Sequence, residues 1–158
     1  MNAKLITSWT EHDEAVKNIL EMAIRKICIF DEDLAKLKLE EKGNAELLQR
    51  FLATNRKNSL QIVLKNTDPL QRNSPRLMAL LRQYTPAMQV VECSPGLENL
   101  NDSLFIADDC HALIRFHKDN VRCKSVIDDA RECTPYVKRF EEILKAGEAT
   151  VGITTLGL

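Results

Sequence analysis

The chain has 158 residues, a formal net charge of −1, 44% hydrophobic and 28% charged residues, and only 5% aromatic ones. A chain of this length forms one α/β domain over residues 1–158 and buries roughly 68–70% of its unfolded surface, so it folds without a disulfide or a metal. The near-neutral balance excludes a whole-surface attraction to nucleic acid or anionic lipid, and no run approaches the roughly 18 apolar residues that a membrane span needs. Residues 1–10 do not join a charged segment, a long apolar stretch and a cleavage site, so a cytoplasmic setting is expected. In that setting Cys28, Cys93, Cys110, Cys123 and Cys133, odd in number and without paired spacing, are expected as reduced thiols.

Taken in chain order, residues 1–10 read as an arm or a short strand. A helix follows over residues 11–26, with Ser8 and Glu11 in capping-box spacing and Val16, Ile19, Leu20, Ala23 and Ile24 as its apolar stripe. The run Ile27-Cys28-Ile29-Phe30 is short and β-branched, as a buried strand is. A second helix is expected from Gly43-Asn44 to residue 55, a second buried strand over residues 60–64, and a loop at residues 66–69. Ser74-Pro75 has the hydroxyl and the fixed φ that open a helix, which runs to Tyr84. A third strand spans residues 88–93. Residues 104–107 and 112–116 flank Asp108-Asp109 as a hairpin, and residues 121–127 form a further strand. Thr134-Pro135 is expected to open the last helix, ending near Ala146 with Gly147 as its C′ residue. Residues 148–158 have no assigned structure. Strands alternating with helices through the first 93 residues predict a mixed, mostly parallel sheet flanked by helices, with ligands received at the strands' carboxyl ends: residues 31–34, 65–68 and 94–101.

One spacing carries a family resemblance. Asn101-Asp102-Ser103-Leu104-Phe105-Ile106-Ala107-Asp108 repeats the interval of H-x-K-x(4)-D, with Asn101 at the histidine position, Ser103 at the lysine position and Asp108 as the aspartate. Together with the order of elements on either side, it resembles one half of a phospholipase D-like domain, and the chain is similar to small uncharacterised bacterial proteins of that fold. The resemblance implies the fold and, because single-motif members pair two copies, a homodimer. It does not imply activity. An amide at Asn101 has no nucleophilic lone pair to attack phosphorus, Ser103 has no charge for a phosphoryl oxygen, and Arg115-Phe116 stand near the family's glycine-serine pair. His117-Lys118-Asp119 lacks the motif's spacing and reads as a polar turn.

Three other groupings have simpler readings. Cys110, His111, His117, Cys123 and Cys133 lack the C-x2-C and H-x3-5-H pairs of a zinc site, and no metal or other cofactor is expected. Asp31 and Asp33, at the end of a strand, are acidic candidates for a divalent cation; as turn formers they need no ligand. Arg115, Lys118, Arg122 and Lys124 make the C-terminal third locally basic and are candidates for phosphate or a nucleic-acid backbone, although acidic neighbours counter them. The leading expectation is a catalytically inactive phospholipase D-like module that binds or assembles, as a homodimer or with a protein partner. A diverged phosphoesterase and a nucleic-acid accessory domain are the alternatives.

Overall fold

The computed structural model describes residues 3–97, 99–147 and 149–151. Among them the chain runs β1 (Ala3–Ile6), α1 (Trp9–Met22), β2 (Lys26–Asp31), α2 (Lys42–Thr54), β3 (Ser59–Leu64), α3 (Asp68–Asn73), α4 (Pro75–Tyr84), β4 (Met88–Glu92), β5 (Ser103–Ala107), β6 (His111–Arg115), β7 (Cys123–Val126), α5 (Ala130–Lys145) and β8 (Ala149–Val151). The strands form one sheet in the order β1-β7-β6-β5-β2-β3-β4-β8. Only β2–β3 and β3–β4 are parallel. The pairs β1–β7, β2–β5, β4–β8, β5–β6 and β6–β7 are antiparallel, so the expectation of a mostly parallel sheet is wrong. The three helix-connected strands are parallel as the alternation requires, but the hairpin and its extension dock on the free edge of β2 in the opposite sense.

Both faces of the sheet are covered, which is why β2 reads as a continuous apolar run rather than an alternating one. Ile27 and Ile29 face one core with Val16, Ile19 and Leu20 of α1, Leu48 of α2 and Leu81 of α4. Cys28 and Phe30 face the other with Ile106, Ile114, and Cys133, Phe140 and Ile143 of α5.

Several helix ends differ from the expectation for local reasons. The Glu11 N–H donates to Ser8 Oγ at 3.2 Å as the capping spacing requires, but α1 stops at Met22 and Ile24 is left 75% exposed. The next three N–H groups, of Ile24, Arg25 and Lys26, donate to the Asp108 carboxylate at 2.9–3.0 Å. At α4, the Ser74 hydroxyl donates to the Pro69 carbonyl, and the free N–H groups of Arg76 and Leu77 donate to Glu40, both at 3.0 Å. Helix α5 begins at Ala130, not at Pro135. Asp129 accepts the Glu132 N–H at 3.0 Å, and Pro135 lies inside the helix, where it forfeits a single intrahelical bond. Residues 152–158 of the tail lie outside the described residues.

Candidate functional site

At the carboxyl end of β2 the chain leaves through α2 to parallel β3 on one side, while the connection from β4 returns to start antiparallel β5 on the other, the kind of place at which open α/β sheets receive ligands. On the α1 face of that end, one row of side chains crosses the sheet. Ser103 opposes Arg115, Arg115 opposes Cys123, and Asp31 falls one residue beyond the Phe30–Leu104 pair. Directly opposed residues share a face, so Asp31, Ser103, Arg115 and Cys123 are aligned on it.

Arg115 is 2% exposed, Asp31 1% and His12 0%. Arg115 Nη2 donates to Asp31 Oδ1 at 3.0 Å, and Nη1 donates to His12 Nε2 at 3.3 Å. The other oxygen of Asp31 accepts the backbone N–H groups of Leu34 (2.8 Å) and Asp33 (3.2 Å), which folds the chain back at Leu34 with φ 72°. His12 Nδ1 donates to Asp13 Oδ1 at 3.0 Å, and Lys38 Nζ donates to Asp13 Oδ2 at 2.8 Å. This pattern requires a neutral His12 with its proton on Nδ1 and its lone pair towards Arg115. Burial pushes the His12 pKa below its ordinary 6.5, and the Arg115 charge adds to that against the opposing pull of Asp13. The Trp9 ring lies edge-on to His12 at 5.1 Å and 6.0 Å from the guanidinium carbon.

The remaining sequence candidates are dispersed. Asn101 is exposed and its carbonyl accepts the Lys118 N–H at 2.6 Å. Ser103 is buried in β5. Asp108 sits at the opposite end of β5, binding the α1–β2 connection as described. Asp108 and Asp109 turn the hairpin with φ 55° and 58°, a left-handed conformation that aspartate tolerates better than most residues. Asp33 accepts the Ala35 N–H. Arg115 is a core residue, not a surface cation. Lys124 is held by Glu132 and lies 3.4 Å from the Tyr136 hydroxyl. Arg122 is exposed. The structure therefore brings Asp31, Ser103 and Arg115 together and separates them from Asp108, Lys124 and Arg122.

Outside the buried row, Glu32 bridges two lysines: Lys118 Nζ at 3.3 Å from the β6–β7 turn and Lys65 Nζ at 3.7 Å from the end of β3. Lys65 also donates to the Leu100 carbonyl at 2.7 Å. Glu32 and Lys65 carry no motif. His12 has one sequence signal: it falls four residues before Val16 on the apolar stripe of α1, and so points into the core.

Burial pushes the Cys28 and Cys133 thiols up to about 12 and Cys123 to about 11, so none of the three is a thiolate nucleophile at neutral pH. Among the described residues no group of three or more His, Cys, Asp and Glu side chains could hold a metal ion, and no helix is long and apolar enough to cross a membrane.

Residues 8–153 match the family model described as Domain of unknown function (DUF7931). The chain belongs to DUF7931. No curated protein matches it. Among solved structures, the archaeal chromatin protein TrmBL2, whose structure was described as showing a novel mode of DNA binding, superposes with a TM-score of 0.66 at 15% identity. That match covers 94% of this chain, which spans about half (54%) of TrmBL2. NucT from Helicobacter pylori gives a TM-score of 0.62 at 15% identity, covering 92% of this chain and 96% of NucT. Nuc from Salmonella typhimurium, a phospholipase D family member, gives 0.59 at 11% identity over 95% and 99%. This DUF7931 chain thus has the phospholipase D-like fold.

Proposed function

We propose that this chain is a phospholipase D-fold binding and assembly module that carries out no phosphodiester chemistry of its own. The observation that carries this reading is the buried Asp31–Arg115–His12 arrangement. The resemblance puts Ser103 at the family's lysine position and Arg115 near its glycine. In this chain the only cation in that row is enclosed and hydrogen-bonded to Asp31 and His12. It cannot meet a phosphoryl group without breaking a desolvated ion pair. Asn101, at the histidine position, offers no nucleophile. His12 has a free-base nitrogen, but that lone pair accepts a hydrogen bond inside the core.

The test is hydrolysis of a chromogenic phosphodiester, with and without added divalent cations. The expected result is turnover indistinguishable from the protein-free rate. Turnover that disappears in Asn101→Ala would refute the reading. Assembly as a homodimer, implied by the pairing of single-motif members, is tested by sedimentation equilibrium of the full chain: a monomer at all accessible concentrations removes it.

A further inference from the structure

We propose that the β6–β7 turn, residues 116–122, docks single-stranded nucleic acid, with Phe116 stacking on a base and Lys118 and Arg122 taking the flanking phosphates. This deepens the preceding reading, and rests on it, by naming the ligand class of a binding module.

Phe116 comes immediately after four buried residues of β6 and is 49% exposed, one of three large hydrophobic side chains left open among the described residues. It is not on a loose loop. The Phe116 N–H donates to the Arg122 carbonyl at 3.3 Å and closes the turn. The Asn120 N–H donates to the His117 carbonyl, and the Asp119 N–H to His117 Nδ1. Asn120 Oδ1 accepts the Arg122 N–H. The Lys118 N–H donates to the Asn101 carbonyl and ties the turn to the loop before β5. A ring held out on a braced turn loses little freedom when something stacks on it, and preorganisation of this kind favours binding.

The charges beside the ring suit a phosphate backbone. Lys118, whose ammonium lies 3.3 Å from the Glu32 carboxylate that it shares with Lys65, is one cation of the turn. Arg122, exposed on the far limb of the turn, adds a second cation, against Asp119 on the tip. Glu32 is then an internal competitor: its carboxylate holds Lys118 where a phosphate would sit. A single strand is favoured over a duplex because only unpaired bases present their faces to an aromatic ring. It is favoured over an acidic peptide because a carboxylate-rich chain would use the lysines but gain nothing from Phe116.

The experiment is fluorescence polarisation of the full chain with end-labelled single strands of about 12 nucleotides, DNA and RNA, and with the matching duplexes. Each is titrated at about 50 mM and 200 mM salt. Single strands are expected to bind more tightly than duplexes, and more weakly at the higher salt. Phe116→Ala should weaken binding by about 5- to 150-fold, the loss for one stacked base. Lys118→Ala and Arg122→Ala should each flatten the dependence of log K on log salt by about 0.7. Glu32→Gln should tighten binding. All four side chains are at least partly exposed, so wild-type melting temperatures are expected and serve as the folding control. No binding at the lower salt, preference for duplex, an unchanged affinity in Phe116→Ala, or equal competition by polyglutamate overturns the assignment. Cleavage of the labelled strand, read on a gel from the same samples, would instead refute the absence of chemistry and leave the docking turn standing.

Discussion

The Asp31–Arg115 pair makes the sharpest demand on stability. Arg115→Met keeps the length of the side chain but removes the guanidinium. The Asp31 carboxylate then remains 1% exposed, with two backbone N–H donors and no counter-charge. Leaving one member of a buried pair uncompensated costs about 3–5 kcal/mol. At roughly 2–4 °C per kcal/mol for a chain of this size, melting should fall by about 6–20 °C. Asp31→Asn, which strands the guanidinium instead, should cost a similar amount. The double variant buries no charge, and its loss should be about 2–3 kcal/mol smaller than the sum of the single losses. Urea titration measures all four proteins, with Trp9 fluorescence as a convenient probe because this single tryptophan lies 6.0 Å from Arg115. Single losses below about 1 kcal/mol, or strict additivity, would mean that the two side chains are solvated and that the candidate row is not closed.

His12 gives a pH dependence of defined sign. Its folded pKa lies below 6.5, so the unfolded chain binds the proton more readily, and stability should fall as pH drops from about 6.5 towards the folded value. His12→Gln should flatten melting temperature against pH in that window; an unchanged slope would exclude His12 as the source. Asp13 titrates separately. Burial alone would raise its pKa, but hydrogen bonds from Lys38 and His12 outweigh burial and hold it below 3.8, so its contribution is lost only at still lower pH. Asp108→Ala removes the acceptor of three backbone N–H groups and places alanine at φ 55°; a loss of about 2–4 kcal/mol in chemical denaturation is expected, and a loss below about 0.5 kcal/mol would contradict the bonding. A Cβ at Gly147 would lie 2.3 Å from Val91 Cγ1, so Gly147→Ala should destabilise by about 1–3 kcal/mol, and Val91→Ala should recover part of that if the clash is the cause.

The sequence carried the parts of the fold that are decided locally. The apolar runs at Ile27–Phe30 and Leu60–Leu64 read, from their shortness and β-branched content, as strands covered on both faces, and the Ser8–Glu11 spacing marks the start of α1. Pairing was not legible, because nothing near residues 103–116 records that β5 joins β2 antiparallel. The start of α5 departs from the sequence expectation for a different reason: Ser/Thr-Pro is a strong local signal, but Asp129 and Glu132 supply a cap earlier in the chain, and a helix of this length tolerates one missing bond at Pro135. The site divides in the same way. Asp31 could be placed at a strand end, but Arg115 looked like an ordinary surface cation because arginine is seldom buried unless paired. Its partner lies 84 residues away, and His12 lies 103 residues away, separations over which no sequence spacing is informative. Glu32 and Lys65 fall in the strand-end loops that the sequence marks, but their ion pair follows only from the parallel register that sets the ends of β2 and β3 side by side.

The position of β5 also sets a timetable for synthesis. The parallel strands β2, β3 and β4 can assemble once residue 92 has emerged, yet β2 remains an open edge until β5 arrives at residue 107 to pair with it. At about 5–20 residues per second, roughly 4–15 s separate the appearance of β2 from that of its antiparallel neighbour. Throughout that interval the edge of β2 that β5 will cover, from Ile27 to Phe30, lacks its partner, the feature that recruits other chains into mispaired sheets. Translation speed between β2 and β5 should therefore govern how much of the protein reaches its native form.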